Sequence, residues 1–405
     1  MANNKQDKIL NVPNKREQRN VPVLRFPEFE GEWERIPLSD LLEFFSTNSL
    51  SWEQLEYGGN KIQNLHYGLI HVGLPTLVDT KMNELPTIKS EFLPRNYEVV
   101  KEGDVAFADA SEDTNEVAKA VEFVEIGDHP IVCGLHTIHG RDRINLTIPG
   151  FKGYYLGSPS FHNQIRRLAQ GTKIFSISTK ILGECFISIP SKTEQKKIAG
   201  LLSLIDDRIA TQRKIIEDLE KLKSAIYHKV FSTIKGETVA LTSVANIVKG
   251  KQLNGEELSD SGTYYVMNGG IVPSGYYHEY NTPENTISIS EGGNSCGYVQ
   301  FNHKPFWSGG HCYTLHLSNE SVNLLFLYHF LKYKEKDIMA LRIGSGLPNI
   351  QKRTLGNFPV LLPSINEQNK VVRLFEAIQQ KVGIDIKILH QLLIQKQYLL
   401  QQMFI

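Results

Sequence analysis

Two stretches of this chain repeat one hydrophobic pattern. Alternating steps of four and three residues from Ile198 land on Leu202, Ile205, Ile209, Gln212, Ile216, Leu219, Lys223, Ile226 and Val230. The same steps from Val371 land on Phe375, Ile378, Val382, Asp385, Leu389, Leu392, Lys396, Leu399 and Met403. Apolar side chains on a repeat of about 3.5 residues fall on one helix face and form a coiled-coil seam. Both seams fail at the same two steps, Gln212 with Lys223 and Asp385 with Lys396. Shared faults mark an internal duplication. The match runs upstream at a constant offset of 173: Gly171-Thr172 with Gly344-Ser345, Ile177 with Ile350, Leu182-Gly183 with Leu355-Gly356, and Pro190-Ser191 with Pro363-Ser364. A period this long is a duplicated domain plus helix, not a solenoid repeat.

The chain therefore divides into a disordered tail (1–20), a globule (21–190), a long helix (191–235), a second globule (236–363) and a second long helix (364–405). The seams predict an antiparallel helix pair. Setting Gln212 against Lys396 and Lys223 against Asp385 leaves the other layers apolar, including Ile209 with Leu399, Ile216 with Leu392 and Leu219 with Leu389. Buried polar layers fix register at a cost in stability. A parallel pair would oppose Lys223 and Lys396, a like-charge clash.

Within the globules, short β-rich runs alternate with Gly, Asn and Pro turns. YEVVKEGDVAFADA and KAVEFVEI belong to the first copy, and TYYVMNGG, NTISISEGGNSCGYVQF and PFWSGGHCYTLHL to the second. Each globule closes on a helix-like stretch, FKGYYLGSPSFHNQIRRLAQ or NLLFLYHFLKYKEKDIMALR, and opens near a short one, LSDLLEFF in the first. An echo of that opening, Leu241-Thr242-Ser243-Val244, lies 203 residues on, so the first globule is longer by about thirty residues. The fold class is α+β.

Composition adds bounds. The 405 residues are 41% hydrophobic and 22% charged, ordinary for a soluble protein with two or three cored domains. No window approaches the run of about eighteen apolar residues that crosses a membrane, and the N-terminus lacks a signal peptide's apolar core. Cys133, Cys185, Cys296 and Cys312 show no CxxC spacing, so free thiols in a cytoplasmic protein are expected. The net charge of zero hides a polarity. Residues 21–140 hold 8 basic and 21 acidic side chains, whereas 141–180 hold seven basic (Arg141, Arg143, Lys152, Arg166, Arg167, Lys173, Lys180) and one acidic, Asp142. Positive charge thus gathers toward the Gly loop, which suits a phosphate backbone or an ordinary solvated surface.

Catalytic patterns are missing. There is no Asn/Asp-Pro-Pro-aromatic loop for amino methylation, no Gly-rich loop ending in Lys-Ser/Thr for nucleoside triphosphates, and no convincing nuclease carboxylate set. Cys296, His303, His311, Cys312 and His316 match no close-paired zinc spacing, and adjacent His311 and Cys312 on a strand point to opposite faces. His136 and His311 correspond between the copies, each after a Gly (Gly134 two residues before, Gly310 one before), which points to a shared structural role. Glu112-Asp113 could hold a cation or a backbone loop, and Gly292-Gly293-Asn294-Ser295 a hairpin or a DNA-facing turn. The loops Gly171-Thr172-Lys173 and Gly344-Ser345-Gly346 read two ways. They are tight turns into a strand, or they bring backbone, hydroxyls and Lys173 against phosphate.

These residues carry a resemblance to the specificity subunits of type I restriction–modification systems. That family's Pro-x-x-x-Glu-Gln-x-x-Ile helix start stands here as Pro190, Glu194-Gln195 and Ile198, and as Pro363, Glu367-Gln368 and Val371. Its Gly-Thr-x-x-x-x-Ile loop stands as Gly171-Thr172 and Ile177, with Ser345 replacing Thr in the second copy. The resemblance covers residues 20–405. It implies a chain that is not itself an enzyme, with two target-recognition domains reading the halves of a bipartite double-stranded DNA site. The helices would serve as spacer and as platform for two methyltransferase subunits, joined by motor-endonuclease subunits. S-adenosylmethionine, ATP and Mg would sit on those partners, with no cofactor, metal or membrane for this chain. Helices of about 38 residues span on the order of 57 Å, beyond one DNA turn of about 34–36 Å. From charge and closeness to the Gly loops, the phosphate-positioning candidates are Arg166, Arg167, Lys173, Lys249, Lys251, Arg342, Lys352 and Arg353.

Overall fold

The structure, a computed structural model, describes residues 20–59, 62–171, 173–344 and 346–405. The expected tail therefore lies almost wholly outside the described residues. The chain forms two compact units, one of residues up to 211 together with 389–405, the other of residues 212–388. Among the described residues no helix is long and apolar enough to cross a membrane.

One strand order underlies both units. In the first, a mixed sheet runs Leu42–Phe45, Thr137–Asp142, Val105–Ala108, Ala120–Glu125 and Leu77–Asp79, the last strand joining in parallel. In the second, a fully antiparallel sheet runs Ala245–Lys249, Cys312–Leu317, Thr286–Ser290 and Val299–Asn302. The first four strands correspond one to one. Each sheet is followed in the chain by a pair of helices, Phe151–Leu156 with Pro159–Leu168, and Leu324–Tyr333 with Glu335–Met339. The extra length of the first globule supplies its fifth strand, whereas its second sheet, Ile131–Cys133, Gln63–Leu65, Thr87–Ile88 and Leu55–Glu56, is matched in the second unit by Trp307–Ser308, Tyr264–Met267 and Tyr276–Tyr277. That sheet sits over its own apolar cluster, which includes Leu65, Ile70, Val121 and Phe123. LSDLLEFF is only half helical. Leu38–Leu41 turn as a helix, and Leu42–Phe45 then pair with Thr137–Asp142, because alternate burial of Leu42 and exposure of Glu43 suits a strand.

The long helices, Lys192–Thr233 and Ile365–Gln402, are 42 and 38 residues long. Each begins where a closing strand, Phe186–Ile189 or Pro359–Leu362, pairs antiparallel with an opening one, Glu34–Pro37 or Glu237–Ala240. The repeated Glu-Gln then acts as an anchor. Gln195 is fully buried; its amide donates to the carbonyls of Leu146 and Pro190 (3.0 and 2.9 Å) and its oxygen accepts from Ile148 N–H (3.0 Å). Gln368 repeats this with Ser321, Pro363 and Asn323 (3.1, 2.9 and 2.8 Å). The glutamates differ. Glu194 is buried and accepts from Nε and Nη2 of Arg25 (2.7 and 2.8 Å) and from Trp33 Nε1, whereas among the described residues exposed Glu367 meets only the capping hydroxyl of Ser364.

The helices run antiparallel, but not in the expected register. In the first unit Ile198, Leu202, Ile205 and Ile209 share a core with Leu399, Met403 and Phe404; in the second Phe231 shares one with Val371, Val372 and Phe375. Gln212 faces Asp385 rather than Lys396, its amide donating to the carboxylate at 2.9 Å. Lys223 donates to Gln379 (2.6 Å) rather than meeting Asp385, and Lys396 pairs with Asp206 (2.6 Å). Side-chain reach explains the correction. An ammonium on four methylenes slides to the edge of the seam, where Lys396 crosses the Tyr154 ring, while the short Gln212 and Asp385 side chains stay inside and complement each other. Lys381 and Gln212, in that order, hold the Asp385 carboxyl below the usual range. Gln212→Leu should lower the thermal midpoint by leaving that carboxylate without its seam donor, and adding Asp385→Leu should restore it. Equal melting of the single and double variants would remove the polar pair from the account.

Inside the second unit, His329 is buried between Tyr227, whose hydroxyl lies 2.5 Å from Nδ1, and Glu376, 3.4 Å from Nε2. Burial, aided by the Lys223 charge, pushes its imidazole down to about 4, and Glu376 is too solvated to offset that. The unfolded chain, with a value of about 6.5, binds more protons between those limits. This group's contribution is thus intact above pH about 6.5 and declines toward pH 4, by at most about 3 kcal/mol. Denaturant titrations across that window should show the loss, and His329→Gln should flatten it.

Candidate nucleic-acid interface

Each globule carries the same small hairpin. Gln170 bridges Ser176 in the first, and Ile343 bridges Asn349, again 173 residues on, in the second. Gly171 sits at φ +132°, and a Cβ there would come within 1.9 Å of the Ile174 carbonyl oxygen; Gly344 sits at φ +95°. The turn itself thus requires Gly171. Thr172 and Ser345, the candidate hydroxyl donors, lie outside the described residues. Each hairpin leads to a buried isoleucine. Ile177 N–H donates to the Asp109 carbonyl (2.9 Å), and Ile350 N–H to the Glu291 carbonyl (2.8 Å).

Each of those two carboxylate residues lies beside a histidine. Asp109 Oδ1 is 3.0 Å from His136 Nδ1, and Glu291 Oε2 is 3.7 Å from His311 Nδ1. Backbone pairing repeats as well, from Asp109 N–H to His136 O (3.1 Å) and from Glu291 N–H to His311 O (2.9 Å). His136 sits at φ +54° and meets the Tyr67 ring edge-on at 5.3 Å. Glu291 also takes Lys249 (2.6 Å) and the Tyr313 hydroxyl (3.2 Å). A search at constant offset misses these pairs, because the carboxylates differ in type and the intervening loops differ in length. A Gly one or two residues before each histidine was the only signal.

The basic stretch divides on folding. Lys152 is buried against Glu122 (3.0 Å), Arg141 is tied to Asp104 and Glu98, and Arg143 donates to the carbonyls of Ser39 and Asp40. These three charges serve the fold, which narrows the expected basic face. Arg166 and Arg167 remain exposed on the last turn of Pro159–Leu168, with Arg166 reaching Asn115 and Asn163. Lys173, Lys251, Arg342, Lys352 and Arg353 are also exposed, with Lys173 on the first hairpin and Arg342 beside the second. Lys249 is held by Glu291 rather than free. Asp113 caps the turn after Ala110–Ser111, its carboxylate accepting from Asn115 N–H (2.8 Å), and so serves a backbone loop. Gly293 N–H donates to Pro348 O (2.9 Å), which sets the Gly292–Ser295 turn against the second hairpin. All four cysteines are free and buried, and among the described residues no three His, Cys, Asp or Glu side chains gather as a metal site.

Comparison with known proteins gives one answer. The family model of the type I restriction modification DNA specificity domain matches twice, at residues 30–221 and 234–393. A type I specificity subunit of Mycoplasma genitalium is 28% identical over 300 residues, covering 70% of this chain and 78% of that protein. The specificity subunit of a type I restriction enzyme from Methanocaldococcus jannaschii is 21% identical over 407 residues, covering 91% and 92%. The crystal structure of a type I restriction–modification S subunit from M. genitalium shares the fold, with a TM-score of 0.59 and 23% identity over 95% of this chain and 99% of that one. With the family model matched once in each copy, the chain belongs to the type I restriction–modification specificity subunits.

Proposed function

We propose that this subunit binds a bipartite, asymmetric site in double-stranded DNA, one half per globule, and directs adenine methylation and cleavage carried out by partner subunits. One observation carries the reading: a single strand order with its hairpin recurs in both globules, while the loops grown on it differ. Two unlike readers on one scaffold suit two unlike half-sites. A helix of 42 residues is about 63 Å long, well beyond one DNA turn of about 34–36 Å, which suits half-sites on separate stretches of duplex. Exposed Arg166, Arg167, Lys173, Lys251, Arg342, Lys352 and Arg353 would set the protein on the phosphates, with Lys249 available once released from Glu291. Base edges would be read by Arg, Lys, Asn and Gln side chains of the unlike loops.

In this reading two methyltransferase subunits and motor-endonuclease subunits join the chain in the cytoplasm and bring S-adenosylmethionine, ATP and Mg. The test is methylation mapping. The chain is purified with the methyltransferase encoded beside it, genomic DNA is treated with S-adenosylmethionine, and modified adenines are sequenced. One gapped motif with two unlike halves is the expected result. A complex that forms and modifies no motif would sink the reading, and DNA binding without any complex would favour a stand-alone DNA-binding protein. No salt-dependent DNA affinity at all would favour a coiled-coil adaptor.

A further inference from the structure

We infer that His136 and His311 are equivalent phosphate-contacting residues, one in each globule, each beside a carboxylate just past the end of the neighbouring strand. The inference rests on the DNA-recognition reading above. Four features recur together in both copies: the histidine, the carboxylate beside its Nδ1, the backbone pairing that fixes the two residues, and the glycine hairpin whose isoleucine bonds the carboxylate residue's own carbonyl. Both rings are open to solvent, with side-chain exposures of 49% for His136 and 61% for His311. In the first globule the Asp109 carboxylate hydrogen-bonds Nδ1 at 3.0 Å and fixes the ring, while in the second Glu291 stands 3.7 Å off as a charge beside the ring. Nε2 is left on the opposite edge for a ligand.

The surrounding loops identify the ligand. They differ between the globules, as readers of unlike half-sites must, yet this constellation is kept. What two unlike half-sites have in common is the sugar–phosphate backbone, not a base sequence. A neutral ring whose Nδ1–H serves the carboxylate could only accept at Nε2. Donation to a phosphate oxygen therefore requires the doubly protonated ring. Facing His136 are Asp109 and Tyr67, with the His66 ring tilted against Tyr67 at 4.7 Å; facing His311 is Glu291, which holds Lys249 and Tyr313.

The test uses the full chain in complex with its methyltransferase, with binding to cognate and scrambled duplexes followed by fluorescence anisotropy across a salt series at pH 6. His136→Gln and His311→Gln should each weaken binding at pH 6 by about tenfold, as expected for loss of a charge-assisted hydrogen bond. The loss should be equal on both duplexes. Each variant should also reduce the slope of log affinity against log salt by about 0.9. Asp109→Ala supplies an independent arm, since the described contact of that carboxylate is with His136 alone. Removing an acidic group would strengthen DNA binding if charge were all that mattered; weaker binding is expected here because the ring loses its support. Unchanged affinity and slope in the histidine variants, tighter binding by Asp109→Ala, or a loss confined to the cognate duplex would each overturn the inference while leaving the recognition reading intact. If the unaltered complex binds no DNA, both fall.

Discussion

Replacing Lys152 by Met is expected to cost about 3–5 kcal/mol, the range for breaking a buried ion pair by removing one partner. Lys152 is 2% exposed and Glu122 not at all. The ammonium lies 3.0 Å from Glu122 Oε1 and donates to Thr147 Oγ1 at 2.7 Å, while Glu122 Oε2 accepts from Gly153 N–H at 2.7 Å. A methionine fills the space and leaves the carboxylate uncompensated. Burial already pushes the Glu122 carboxyl up, and without Lys152 it rises further. The folded variant then holds a proton that the unfolded chain releases above its ordinary glutamate range. Its stability therefore falls as pH rises through that window, and the deficit is greatest at neutral pH and shrinks on acidification. Denaturant titrations at pH 5 and 7.5 check the sign. Lys152→Met with Glu122→Gln should recover much of the loss, since two neutral groups carry no stranded charge. A double variant no more stable than the single would mean that packing, not charge, sets the cost.

Gln195→Ala and Gln368→Ala are each expected to destabilise their own unit by about 3 kcal/mol. Each substitution leaves one backbone N–H and two carbonyls without their partner, at about 1–3 kcal/mol for each group that water cannot reach. The loss should be local and parallel. Hydrogen exchange should quicken at the Ile148 amide in the first variant and at the Asn323 amide in the second, because those N–H groups donate to the glutamine oxygens. Glu367→Ala is the control. That side chain is exposed and among the described residues touches only Ser364, so the change should be small, whereas Glu194→Ala strands Arg25 and Trp33 and should not be. If both glutamine variants exchange like the parent, the anchor role is wrong.

The identical Glu-Gln pairs therefore hide unequal roles. The glutamines do one job twice, because each helix start must be tied to the loop before the helices that follow its sheet. The glutamates diverge because Arg25 and Trp33, brought in by the segment ahead of the first globule, cover the first helix start. Nothing in either Glu-Gln string foretells that difference.

By itself the sequence determined the duplication, the two long helices, their antiparallel sense, the α+β class and the family. Those features are local or periodic: a seam of apolar residues, a constant offset, a proline followed by Glu-Gln. It also located the glycine hairpins, since a left-handed backbone at Gly171 is written in residue type. Tertiary structure alone decided the helix register, because lysines could leave the seam for Asp206 and Gln379 while Gln212 and Asp385 could not. It alone decided which positive charges are free. Lys152, Arg141 and Arg143 count as basic surface in a linear tally, yet partners up to about a hundred residues away draw them into the fold. The carboxylate–histidine pairs became visible only when two strands of different spacing were laid side by side, since a contact between distant residues leaves no period in the chain.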